Sequence, residues 1–113
     1  MLEKKNRINL DKEFDRVFKT GQSFYAKVFG LKTIDTNLEN IRFGLLVGLK
    51  VSKKAVIRNK IKRQIRSIIS QEIPLLKEGK DVVIVVLPPI LDKKFEEIEK
   101  LLKNGLAKLG LYK

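Results

Sequence analysis

Apolar positions along the chain follow a helical period in three stretches and a strand period, or none, between them. The clearest helix holds Ile57, Ile61, Ile65, Ile68 and Ile69. At about 100° per residue these fall within roughly a third of the circumference, and Arg58, Asn59, Lys62, Arg63 and Arg66 fall on the opposite side. Ser52 is placed to cap its first turn, and Pro74 blocks its continuation. An earlier helix is expected from Asp11, as N-cap, to Thr20. Phe14, Val17 and Phe18 stand on one face at i, i+3 and i+4, and Gly21 serves as a left-handed residue after the end. A last helix is expected after Asp92 as cap, with Phe95, Ile98, Leu101, Leu102, Leu106 and Leu109 as its apolar stripe. Glu96, Glu97 and Glu99 come early and Lys100, Lys103 and Lys108 late, as the helix dipole favours. Gly110 can end it.

Between these lie the strands. Residues 23–34 (SFYAKVFGLKTI) are dense in β-branched and aromatic residues and read as one strand, with Tyr25, Lys27, Phe29 and Leu31 on one parity. Gly30 marks a bulge or a close backbone approach. Residues 35–40 are a polar turn. Residues 41–48 (IRFGLLVG) form the next strand, and the short link predicts an antiparallel hairpin between the two. Residues 81–87 (DVVIVVL) are continuously apolar, as a central strand buried on both faces would be. Residues 1–9 read as a flexible basic arm carrying Lys4, Lys5 and Arg7. The order predicts an α/β fold of the α+β sandwich kind: a small mixed sheet with three helices, the basic helix forming a crossover between strands.

Length and charge narrow the function. A chain of 113 residues is expected to be a single domain, 1–113. There is no apolar run long enough for a transmembrane helix and no signal peptide at the N-terminus. Histidine and cysteine are absent. The usual zinc sites, thiolate chemistry and histidine-based general acid–base catalysis are thereby excluded, and a cytoplasmic setting is expected. No acidic cluster resembles a metal site. Eight Lys or Arg residues lie between Lys50 and Arg66 (Lys50, Lys53, Lys54, Arg58, Lys60, Lys62, Arg63, Arg66), with no acid among them. They make up two-thirds of a net charge of +12. A solvated helix face normally mixes signs, because opposite charges at i,i+4 stabilise it and like charges destabilise it. An unmixed row points to a polyanionic partner. On composition alone the Phe14/Phe18 pair reads as core ahead of a base-stacking platform, because an aromatic pair at helical spacing is usually core.

The central stretch resembles the protein subunit of bacterial ribonuclease P, and the resemblance extends along nearly the whole chain. Residues 55–66, AVIRNKIKRQIR, look like that family's signature helix, with Arg58, Asn59, Lys62, Arg63 and Arg66 matching residue by residue. Lys60 stands where arginine is common, which keeps the charge and loses the bidentate fork. Residues 13–21 (EFDRVFKTG) resemble the family's phenylalanine-bearing helix, residues 42–45 (RFGL) its glycine-containing strand, and residues 5–7 (KNR) its basic arm. Of the two basic residues the family places after that strand, only Lys50 is present, since Leu49 holds the other place. Lys53 and Lys54 join the row by charge.

The resemblance implies a four-stranded α/β sandwich whose basic helix makes a left-handed crossover, against the right-handed rule that sequence alone would favour. It implies a non-catalytic subunit, with no catalytic residue and no protein metal site. Such a subunit binds the catalytic RNA of ribonuclease P and precursor tRNA while Mg²⁺ at the RNA supports removal of the 5′ leader. It also implies a leader-binding cleft between the first helix and the sheet. Phe14, Phe18 and Phe29 match cleft residues. Lys27 and Lys32 place charge near it, Lys32 standing where tyrosine is frequent. No membrane and no small-molecule cofactor enter this picture. A general RNA-binding protein without a cleft remains the main alternative. A membrane-surface helix fits less well, because its apolar face is isoleucine only and lacks aromatic anchors.

Overall fold

The strand made last is the one at the centre of the sheet. The computed structural model describes residues 2–8 and 11–113, apart from the side chains of Asp11 and Thr20. Its strands are β1 (Gln22–Tyr25), β2 (Phe29–Asp35), β3 (Arg42–Leu46) and β4 (Lys80–Val86), in the order β1-β2-β4-β3. Its helices are α1 (Asp11–Thr20), α2 (Ala55–Glu72) and α3 (Phe95–Lys108). β4 pairs antiparallel with β2 and parallel with β3. Val82, Val83 and Ile84 have no exposed surface, as expected of a strand covered on both faces. The mixed sheet with three helices is as the sequence predicts, its four strands are as the resemblance implies, and α2 connects two adjacent parallel strands.

The sheet separates two apolar layers. On one face Phe29, Leu31, Phe43, Val82, Ile84 and Val86 pack with Ile61, Ile65, Ile68 and Ile69 of α2 and with Ile98, Leu102 and Leu106 of α3. Each such side chain contributes roughly 1.5–3 kcal/mol on burial. On the other face Val83 packs with Val17 of α1 and with Ile8, flanked by Phe14, Phe18, Ile34 and Val85. The smaller layer carries the shorter helix.

Several expectations are corrected. Residues 23–34 are not one strand but the β1–β2 hairpin, turning at residues 26–28, with Phe24 opposite Leu31 and Tyr25 opposite Gly30. That register runs without a bulge at Gly30. β2 and β3 do not pair with each other, because the more apolar β4 takes the place between them. Ser52 accepts a hydrogen bond from the Lys54 N–H (3.1 Å) in the turn before α2, and Lys54 occupies the cap position. Asp92 closes a 3-10 turn begun by Pro88 and Pro89, so α3 starts later. The cap is Lys94, whose N–H donates to Glu97 Oε1 at 3.1 Å. The Asp11 side chain, named as an N-cap, lies outside the described residues. Gly21 is not left-handed. A Cβ there would stand 2.5 Å from the Val17 carbonyl oxygen and 2.9 Å from that of Thr33, so glycine is needed for a close approach. Gly110 is left-handed, φ 69°, and ends α3 as expected.

The N-terminal segment is not an unstructured arm over the residues described. Leu2 and Ile8 are buried, and Asn6, 4% exposed, donates from Nδ2 to the Ile41 carbonyl at 2.8 Å. Arg7 bridges to Phe43, and the Ile8 N–H donates to the Phe43 carbonyl. This segment covers the outer edge of β3, whose backbone groups would otherwise stand unpaired.

Candidate nucleic-acid interface

The row of cations on α2 is built by the packing of its isoleucines. Ile61, Ile65, Ile68 and Ile69 are buried, which fixes the helix rotation and sends Asn59, Lys60 and Arg63 to the exposed side, with Arg58, Lys62 and Arg66 at its margins. Lys50, Lys53 and Lys54 are exposed in the turn ahead of the helix. Among the described residues none of these eight cations has a carboxylate within salt-bridge distance. Arg58 is partly committed, donating from Nη1 to the Ser52 carbonyl at 2.9 Å. The row is repulsive on its own and is relieved by an array of phosphates.

The opposite face of the sheet carries a different surface, and register defines it. Directly opposed residues give three rows across the strands: Ile34, Asp81, Arg42; then Ser23, Lys32, Val83, Gly44; then Tyr25, Gly30, Val85, Leu46. α1 packs on β2 and β4 and is pinned at the first row by charge. Asp81, with no exposed surface, accepts from Arg42 through both oxygens (2.9 and 2.6 Å). Arg42 also pairs with Glu13 of α1 at 2.9 Å, and Arg16 of α1 reaches Asp81 at 3.8 Å. The hydrogen bonds that Arg42 donates to Asp81, against a desolvation cost, hold the Arg42 guanidinium well above the usual arginine value. Phe14 and Phe18 are half-buried at the margin of α1. Beyond them the third row stays open, with Tyr25 67% and Leu46 38% exposed. The result is a groove with an apolar floor and a wall that carries two aromatic rings.

Comparison with known proteins decides the family. The family described as Ribonuclease P matches residues 2–110. The chain belongs to the ribonuclease P protein family. It is 40% identical over 113 residues to a ribonuclease P protein component of Bacillus velezensis, covering 99% of this chain and 96% of that one. A ribonuclease P protein component of a Pseudanabaena species is 37% identical over 109 residues, covering 96% and 94%. Among solved structures, a Staphylococcus aureus RNase P protein, a mutant with defective mRNA degradation activity, superposes with TM-score 0.90 at 27% identity, covering 96% of this chain and 92% of that one. The RNase P protein of Thermotoga maritima in complex with 1-(4-fluorophenyl)-2-thiourea gives TM-score 0.80 at 27% identity, covering 87% and 94%. The family makes this chain a component of an endoribonuclease complex with an RNA partner.

Within this ribonuclease P fold the expected residues divide. Arg58, Asn59, Lys60, Lys62, Arg63 and Arg66 share α2, and Lys50, Lys53 and Lys54 precede it, as one basic surface. Phe14 and Phe18 line the groove. Phe29 does not. It has no exposed surface and packs against the α2/α3 layer, on the other side of the sheet. Lys27 is exposed in the β1–β2 turn. Lys32 is on the groove face but already engaged, donating from Nζ to the Phe18 carbonyl at 3.1 Å, with its ammonium 5.7 Å from the Phe18 ring centroid. It closes the C-terminal end of α1, where a cation also meets the helix dipole. Of the N-terminal cations, Lys4 is exposed, Lys5 pairs with Glu3 at 3.7 Å, and Arg7 donates twice to the Leu2 carbonyl.

A hollow of about 220 Å³ joins the two surfaces around the edge of β3, lined by Phe14 and Gly44 from the groove, Arg66 from α2 and Arg7 from the N-terminal segment. Sequence reasoning missed Tyr25 as a groove residue: the resemblance singled out Phe29, and a single strand gives Tyr25 the same parity as that ring. The hairpin reverses that relation. Among the described residues no three His, Cys, Asp or Glu gather as a metal site, and no helix is long and apolar enough to cross a membrane.

Proposed function

We propose that this chain is the protein subunit of ribonuclease P that holds precursor tRNA on a catalytic RNA, without itself supplying a reacting group. The observation that carries the reading is the separation of two surfaces on one small fold. An unpaired cationic row on α2 suits the backbone of a large folded RNA. A half-buried aromatic wall over an apolar floor on the other face suits single-stranded bases of variable sequence. Lys50, Lys53, Lys54, Arg58, Asn59, Lys60, Lys62, Arg63 and Arg66 bind the catalytic RNA. Arg7 adds charge at the hollow that leads from it, and Lys4 and Lys5 add charge in the same N-terminal segment. Phe14 and Phe18 bind the 5′ leader, Lys27 supplies a phosphate contact, and Lys32 holds the wall in place.

In this reading Mg²⁺ is held at the RNA, where it stabilises charge at the scissile phosphate, and the protein binds and orients. No membrane and no small-molecule cofactor take part, and the setting is the cytoplasm. The test is reconstitution with a bacterial ribonuclease P RNA and 5′-labelled precursor tRNA at low millimolar magnesium, with an unrelated basic protein as control. Cleavage at the leader junction that depends on this protein is the expected result. Binding of the RNA with no more cleavage than the control would reduce the chain to a general RNA-binding protein.

A further inference from the structure

The open row of the groove floor ends at an aromatic ring that neither motif nor periodicity singles out. Tyr25 stands directly opposite Gly30 in the β1–β2 register, so its side chain emerges on the α1 face of the sheet. Its ring lies over Gly30: a Cβ at that position would be 3.0 Å from Cδ1 and from Cε1 of Tyr25. The absent side chain lets the ring lie down on the sheet instead of standing away from it. Even so, Tyr25 is 67% exposed, and no hydrogen bond or ion pair engages it among the described residues. Val85 and Leu46 continue the same row across the sheet. β1 and β3 are separated by three strand spacings of about 4.8 Å, so Tyr25 sits roughly 14 Å across the floor from the Gly44 side, where Phe14 rests. Lys27 follows two residues later in the turn.

We propose that Tyr25 is a stacking residue for an unpaired RNA base lying farther along the leader than those met by Phe14 and Phe18. The proposal rests on the leader-groove reading and extends it to a residue outside the motifs. An exposed ring on an apolar floor beside a lysine offers a face to any base and a cation to the adjoining phosphate. Its competitor is purely structural, in which the ring covers a strand glycine and stabilises the hairpin. The two readings differ in what they predict for ligands.

The experiment uses the assembled ribonucleoprotein with mature tRNA and with precursors whose leaders lengthen one nucleotide at a time. Tyr25→Leu keeps Gly30 covered but cannot stack, Tyr25→Phe keeps the ring, and Phe18→Leu reports on the groove itself. The expected result is an affinity loss of about five- to tenfold for Tyr25→Leu on long leaders, the low end of the range for one base stack. Mature tRNA and one-nucleotide leaders are bound unchanged, and Tyr25→Phe resembles the parent. Phe18→Leu loses affinity at shorter leader lengths than Tyr25→Leu. If Tyr25→Leu matches the parent at every length while Phe18→Leu does not, Tyr25 is structural and the groove reading stands. If both variants are indifferent to leader length, the groove reading falls with the proposal. An equal loss on mature tRNA would also overturn it.

Discussion

The ring of Phe14 occupies the place where a side chain at position 44 would begin: a Cβ on Gly44 would stand 2.5 Å from Phe14 Cζ. The strand glycine and the helix phenylalanine are therefore one unit, and the glycine seats the groove wall. Gly44→Ala is expected to push the ring off its seat and destabilise the protein by about 1–3 kcal/mol, as overpacking does. Adding Phe14→Leu should restore part of that loss. Urea unfolding of the two single variants and the double variant measures the coupling, and strictly additive effects would mean that the contact is not felt.

Arg42 is expected to be the most sensitive charged position. Arg42→Met leaves Asp81 with no exposed surface and, among the described residues, Arg16 at 3.8 Å as its remaining ion-pair partner. Removing one partner of a buried pair costs about 3–5 kcal/mol. The double variant Arg42→Met/Asp81→Val should be more stable than Arg42→Met alone, because it also removes the stranded carboxylate. Urea midpoints decide this, and a double variant less stable than the single would show that the pair itself contributes net stability.

Arg63 and Arg58 should separate binding from folding. Arg63 is exposed with no partner among the described residues, so Arg63→Ala should reduce the salt slope of RNA binding by about one unit without a change in stability. Arg58→Ala should lower the slope similarly and also cost about 1 kcal/mol of stability, since it loses the bond to the Ser52 carbonyl. Titrations with the catalytic RNA across a salt series, beside unfolding curves, check both.

How much of this was visible in the sequence depends on where each signal sits. The isoleucine period of α2 and the apolar run of β4 survive intact, because both are fixed by burial within one element. Strand neighbours were misjudged, because a short link argues for adjacency only when no better-buried strand competes for the place. The turn at residues 26–28 was invisible: Ala26, Lys27 and Val28 offer no glycine, proline or asparagine, and Val28 is itself buried. That omission hid how the two rings divide between the faces. With an unbroken strand Phe29 shares the face of Tyr25; across the hairpin Tyr25 shares the face of Gly30, and Phe29 turns into the core. Lys32 was legible as a groove cation but not as the donor that closes α1, because a helix and a strand 14 positions apart in the chain meet only in the fold.

Tyr112 should set an alkaline limit on stability. Its burial first, and its hydrogen bond to Glu72 Oε1 at 2.7 Å second, push its pKa well above that of a free tyrosine. The folded state therefore holds a proton that the unfolded chain releases near pH 10. The contribution is complete below about pH 10 and is lost as pH rises from there toward the folded-state value. Tyr112→Phe should be less stable at neutral pH and should lose less stability above pH 10. Parallel pH profiles of the two proteins would refute this.

The sheet order fixes what the chain can build while it is being made. Of the four strands only β1 and β2 can pair before β4 exists, since β3 pairs with none of the others. Arg42 and Asp81 meet across 39 positions of sequence, a long loop to close. The groove floor is thus completed only once β4 has been made, whereas the cations of α2 all precede β4 in the chain. A chain emerging from the ribosome carries its basic stretch before the surface proposed for the leader is complete.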